Sequence, residues 1–141
     1  MKKILRQEPY ILSGSIVVSA NSVTQLIFQI SSNFDFLATR FSFKSVSNSE
    51  YVIPTFDLQL LRDTYQIFND YIPCTMFAGM MINKFAMPNI LYSVGLANWF
   101  KFEKPYLFEN KSSVIWNVRD TSGATNIIHI ALAGYKNIYS L

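Results

Sequence analysis

Apolar and polar residues alternate with a period of two along most of the chain, the pattern of strands that bury one face. In VTQLIFQI (23–30), Thr24, Leu26, Phe28 and Ile30 share one face while Gln25 and Gln29 take the other. Ser31-Ser32-Asn33 predicts a turn. FDFLATRFSFKS (34–45) then sets Leu37, Thr39, Phe41 and Phe43 against Ala38, Arg40 and Ser42. TFDLQLLRD (55–63) places Phe56, Leu58 and Leu60 inside with Asp57 and Gln59 outside, and Arg62-Asp63-Thr64 turns the chain into YQIFND. LYSVGLANWFKF and PYLFE supply further extended pieces. SVIWNVRD (113–120) puts Val114, Trp116 and Val118 on one face, and NIIHIALAGYK (126–136) sets Ile128, Ile130 and Leu132 against Ile127, His129 and Ala131. A Thr-Ser-Gly-Ala-Thr turn joins these last two, with Gly123 supplying the backbone freedom of a tight hairpin.

The pattern predicts about eight strands, with no helical stripe, internal repeat or linker. A length of 141 residues fits one domain. Eight antiparallel strands of this length cannot hide their apolar faces as one flat sheet, so the fold class is all-β, a single antiparallel β-sandwich, jelly-roll-like. Residues 1–20 are expected to form an N-terminal arm and first strand, 21–136 the sandwich, and 137–141 a C-terminal tail. Composition agrees: 12 Phe and 8 Tyr, in a chain with only 15% charged residues, suit half-buried pleated surfaces. Pro73 and Pro88 bracket a Met-rich middle, CTMFAGMMINKFAM, expected to be irregular and to fill gaps in the core. Cys74, the single cysteine, is expected in the core and permits no internal disulfide.

Charge narrows the classes of partner. The net charge is +3, and apart from Lys2, Lys3 and Arg6 the cations are scattered, so no basic stripe marks a nucleic-acid groove. The basic start of MKKILRQEPYILSGSIVVSA has the outline of a signal peptide, but Arg6, Glu8 and Pro9 interrupt it, and no cleavage is expected. No apolar run approaches the length of a membrane-spanning helix. His129 is the only histidine, too few for a cupin-type metal site, and no Gly-x-Ser-x-Gly elbow or phosphate loop is present. His129 therefore reads as a structural or surface strand residue. Paired carboxylates are not excluded by spacing, but Asp57 falls on a polar face and Asp63 and Asp120 read as turn residues. No catalytic residue, metal or cofactor is assigned.

Two segments read as partner contacts. LANWFKFEKPYLFE concentrates aromatics, and alternation buries Phe100 and Phe102 while exposing Trp99, for a protein interface or a sugar. A carbohydrate-binding module using Trp99, Tyr106 and Tyr92 as a platform is the alternative function. The termini form the second segment. Met1, Lys2, Lys3, Ile4, Leu5 and Arg6 show no strand periodicity or cap. Tyr135, Ile138, Tyr139 and Leu141 belong to an apolar end, the last three past the final strand. Both ends are expected to be held by neighbouring subunits, with Met1, Ile4 and Leu5 buried and Lys2, Lys3 and Arg6 paired to acidic groups.

KPYLFENKSSVIWNVRDTSGATNIIHIALAGYK resembles the C-terminal half of small all-β virion proteins of tailed bacteriophages. In those, a Pro-x-x-Phe-x-x-x-Ser segment precedes a strand, an Asn/Asp-x-Ser turn follows, and Gly-Tyr-Lys closes the chain. The corresponding residues are Pro105, Phe108, Ser112, Asp120, Ser122, Gly134, Tyr135 and Lys136. The upstream order is similar too, through FDFLATRFSF and the Asn69-x-x-x-Pro73 segment, so the resemblance spans about residues 20–136. It implies a jelly-roll-like structural protein of the virion, without enzymatic role, assembled with major capsid or head–tail components and with further copies of itself.

Overall fold

The computed structural model describes residues 3–77, 79–86 and 90–139. Met1, Lys2 and Leu141, expected as partner contacts, lie outside the described residues, as does Pro88. Eleven strands follow in order: β1 (Ile4–Val18), β2 (Val23–Gln29), β3 (Asp35–Ser47), β4 (Phe56–Arg62), β5 (Tyr65–Gln66), β6 (Ile72–Pro73), β7 (Met80–Ala86), β8 (Ile90–Leu96), β9 (Phe100–Phe108), β10 (Ser113–Asp120) and β11 (Asn126–Tyr139). A six-stranded sheet runs β1-β11-β3-β8-β7, with β9 also paired to β3. A five-stranded sheet runs β2-β10-β4-β5, with β6 also paired to β4. Every pairing is antiparallel. The first and last strands are neighbours, and the chain crosses between sheets at most of its connections, which is the jelly-roll arrangement.

The large apolar residues at alternate positions fill the space between the sheets. Phe56, Leu58 and Leu60 of β4, Val114, Trp116 and Val118 of β10, and Ile128, Ile130 and Leu132 of β11 are all buried, as their alternation predicts. Phe41 sits at the centre. Its ring meets Phe77 edge-on at 5.0 Å, Phe100 at 5.2 Å, Trp116 at 5.4 Å and Phe102 at 5.6 Å. Tilted and edge-to-face aromatic pairs are each worth about 0.5–1.5 kcal/mol beyond area burial, so the phenylalanine-rich composition goes largely into this one cluster. Cys74 is buried beside it.

The β10–β11 hairpin is tied by one carboxylate. Asp120 accepts hydrogen bonds from the Asn21 N–H (2.9 Å), the Ser122 N–H (3.1 Å) and hydroxyl (2.6 Å), the Gly123 N–H (3.0 Å) and the Asn126 amide (2.8 Å). Gly123 adopts φ +80°, the conformation the turn requires. Burial alone would raise the Asp120 pKa. The Ser122 hydroxyl and the Asn21, Ser122 and Gly123 N–H groups outweigh that and hold it below the ordinary carboxylate value.

Several expectations are corrected. Residues 4–6 are not an unpaired arm, because β1 begins at Ile4 and pairs with β11 from Ile4↔Tyr139 and Arg6↔Ile138 onward. Ile138 and Tyr139 are likewise inside β11, not past it. The backbone ladder within the chain orders residues 4–18 and 126–139. Side-chain alternation is absent at the start of β1 because residues 4–7 are exposed on both faces. In β3 the parity changes partway: Phe36 and Ala38 point inward, and then Phe41 and Phe43 do. Thr39 is a bulge, since Ala133 pairs with Arg40 and Gly134 with Ala38. Leu37 and Thr39 are consequently not core positions.

Asp57 and Gln59 face outward as expected yet are buried. A row of amides and an ion pair covers them: the Gln25 amide donates to Asn117 (2.8 Å), the Asn117 amide to Gln59 (3.1 Å), and Arg119 to Asp57 (2.6 Å) while lying over the Tyr71 ring. The Met-rich middle fills the core only in part: Cys74 and Phe77 are buried and Met80 packs against the core, while Met76 is 73% and Met81 49% exposed. MMINKFA instead forms β7, an edge strand.

Candidate binding groove on the outer face of the six-stranded sheet

The centre of the six-stranded sheet carries small side chains on its solvent face. Ser13 of β1 stands opposite Ala131 of β11, which stands opposite Ser42 of β3. One step along, Ser15, His129 and Lys44 form the next row. Small residues keep this floor low, and His129 and Lys44 rise from it exposed.

The wall comes from an interruption in pairing. β8 pairs with β3 at residues 44–46, and β9 pairs with it at residues 36–41. Ser42 and Phe43 fall between the two, and there the connection from Leu96 to Trp99 passes. The Gly79 carbonyl accepts the Ala97 N–H at 2.9 Å and ties that connection to the chain before β7. Together these residues enclose a concavity of about 470 Å³, floored by Ser13, Ser15, Ser42 and Ala131 and walled by Leu96 and Trp99. Trp99 is 36% exposed, and the Arg40 guanidinium lies 5.3 Å from its ring centre, which fixes the indole. Among the described residues no carboxylate lines the groove. Among the described residues neither Lys44 nor Arg40 makes an ion pair.

Of the described residues expected to contact partners, only Trp99 is in this groove. Lys3 is exposed ahead of β1. Ile4, Leu5 and Arg6 lie at the far end of β1 beside Ile138 and Tyr139, seven to nine residues from Ser13 and so roughly 23–30 Å away along the strand. Arg6 pairs with Glu8 of its own strand at 2.7 Å. Tyr135 is half-buried, between Pro9 and Leu37 in the sheet. The expected platform of three aromatics does not form: Tyr106 packs edge-on against Phe102 at 5.0 Å, and Tyr92 is half-buried opposite Lys84. Phe100 and Phe102 pack against the core, and Trp99 is exposed, as alternation predicts.

Sequence reasoning missed Ser13, Ser15, Ser42 and Lys44 as a set. Their only signal is negative: the polar faces of three strands carry unusually small residues at positions that pairing later aligns. His129 is an exposed strand residue, as expected.

The chain matches no family model, no curated protein and no solved structure.

Proposed function

We propose that this chain is a non-catalytic structural component of a tailed-bacteriophage particle, a capsid-associated decoration or minor head protein. The observation that supports this reading is what the residues of the phage-protein resemblance do in the fold. Phe108 is fully buried. Pro105 lies in the stretch of β9 that bulges out between the Ala38↔Tyr106 and Arg40↔Lys101 pairs, where a missing N–H costs no ladder bond. The Ser112 hydroxyl donates to the Glu109 carbonyl at 2.6 Å and closes the turn into β10. Asp120 and Ser122 build the β10–β11 hairpin. Gly134 lets β11 approach β3, and Lys136 lies over the Tyr10 and Phe34 rings at 4.9 and 5.2 Å. All of these are architectural roles, as suits a chain whose task is to be a rigid unit among other units.

The exposed apolar side chains fit the same reading. Met81, Ile82 and Phe85 lie on the edge strand β7, and Ile4 and Leu5 lie at the open end of β1. Exposed edges of this composition suit coverage by neighbouring subunits, either further copies or capsid and head–tail proteins. Mass spectrometry of purified particles from a phage encoding the chain tests the proposal. Recovery at a stoichiometry comparable to other structural proteins is expected. Presence in the infected-cell lysate with absence from intact particles would refute it.

A further inference from the structure

We propose that the groove beside Trp99 is a binding site for an acidic sugar, a pyranose ring bearing a carboxylate. This goes beyond the particle role and does not depend on it. Three features of the groove select that chemistry together. The first is shape: a floor of Ser13, Ser15, Ser42 and Ala131 leaves an open hollow of about 470 Å³, within the range of about 300–1,000 Å³ typical of small-ligand sites. A broad, low hollow takes a flat ring more readily than a long aliphatic chain.

The second feature is the hydrogen-bonding character of that floor. Serine hydroxyls both donate and accept, which matches the hydroxyls around a sugar ring. The half-exposed indole of Trp99 offers an apolar face for the C–H side of the ring. The third feature is charge. Lys44 lines the groove, Arg40 is stacked on the Trp99 ring, and no carboxylate among the described lining residues offsets them. A neutral sugar leaves Lys44 without a counter-charge. A carboxylate supplies one and forms a charge-assisted hydrogen bond, roughly twice as strong as a neutral one.

The test uses the purified full chain and two matched pairs of probes: 3′-sialyllactose with lactose, and a hyaluronan tetrasaccharide with cellotetraose. Binding is followed by saturation-transfer NMR and by tryptophan fluorescence. Trp116 is fully buried, so a ligand-dependent spectral change reports Trp99. At least one acidic probe is expected to bind about tenfold more tightly than its neutral partner, and more weakly as salt is added. Lys44→Gln is expected to remove most of that preference while leaving weak binding of the ring. Trp99→Ala is expected to abolish binding. Ala131→Phe fills the floor while keeping both Arg40 and Trp99 and is expected to give the same loss, which covers the case of a misfolded Trp99 variant. The proposal fails if neither acidic probe outbinds its neutral counterpart, or if the folded Ala131→Phe protein binds as the unaltered chain does.

Discussion

Replacing Gly134 with alanine tests the idea that β3 and β11 are held at an unusually close approach. A methyl group built at Gly134 would sit 1.9 Å from the Leu37 carbonyl oxygen, 2.9 Å from the Leu37 carbonyl carbon and 3.0 Å from the Ala38 Cα. Real contacts of this kind essentially never fall below 3.0 Å, so the two strands must part by more than an ångström. Every one of the crowding atoms is backbone, and no side-chain rotation relieves the clash. Moving β3 outward here strains the ladder beside the Thr39 bulge and disturbs Phe36 and Phe41, both fully buried.

Overpacking of this kind costs about 1–3 kcal/mol, and each backbone hydrogen bond lost in the displaced stretch adds about 1 kcal/mol. The better strand propensity of alanine returns only about 0.5–1 kcal/mol. The net expectation is a loss of about 3 kcal/mol, or a fall in Tm of roughly 10 °C for a domain of this size. Gly14→Ala serves as the control. Its methyl would meet the Phe28 ring at 3.0 Å, a side-chain end able to swing aside, and a loss of under about 1 kcal/mol is expected. Urea unfolding followed by Trp116 fluorescence reads both variants. A Gly134→Ala protein as stable as Gly14→Ala would refute the close approach and the bulge register built on it.

Asp120→Ala should cost about 2–4 kcal/mol, because it strands several N–H donors of the hairpin at once; the urea midpoint measures it. The depressed pKa of Asp120 also fixes a pH dependence. Its ionised form contributes stability that is fully present above the ordinary carboxylate range and is lost as pH falls below about 4. Acid titration of Asp120→Asn should therefore show a smaller drop in stability over that window. Burial pushes the Cys74 thiol up, so labelling with a disulfide reagent at pH 8 should be slow in the folded chain and immediate in urea. Removing residues 1–6 should leave the sandwich folded with a loss of under about 2 kcal/mol, since only the exposed start of β1 goes. Incorporation into particles should fall if Ile4 and Leu5 meet a neighbour, and quantitative mass spectrometry of virions reads that.

The inward faces of β2, β4 and β10 were legible because large apolar residues recur at alternate positions of each, a local signal. What the sequence concealed was set by strands far away along the chain. The Thr39 bulge is imposed by partners on both sides, Gly134 in β11 and the bulged stretch 102–105 in β9. Nothing in FDFLATRF announces it. The ends of β1 and β11 pair with each other across almost the full chain length, and neither alternates there: the start of β1 is exposed on both faces, while the end of β11 is partly covered on both. MMINKFA escaped notice for the same reason, since nearly every side chain of β7 is exposed. In the groove only Trp99 stood out. A serine on a solvent-facing strand position is ordinary, and Ser13, Ser15 and Ser42 acquire meaning only when the β1-β11-β3 register lines them up.

Apart from Ser42, which lies in FDFLATRFSF, the residues that carry the phage-protein resemblance and those that form the groove do not overlap. Phe108, Ser112, Asp120, Ser122 and Gly134 pack the core, close turns or allow backbone approach. Ser13, Ser15, Lys44 and Trp99 face solvent and belong to no part of that motif. The first set fixes a jelly-roll scaffold, and a scaffold of this kind leaves open which ligand its outer face takes. Alterations at Gly134 act through the β3–β11 spacing, whereas alterations at Lys44 or Trp99 change a surface that supports little of the core. The two groups of measurements are therefore independent in what they decide. A chain found in virions that binds no acidic sugar retains its structural role and loses the groove. A chain that binds the sugar but is missing from particles retains the groove, and its place in the virion has to be given up.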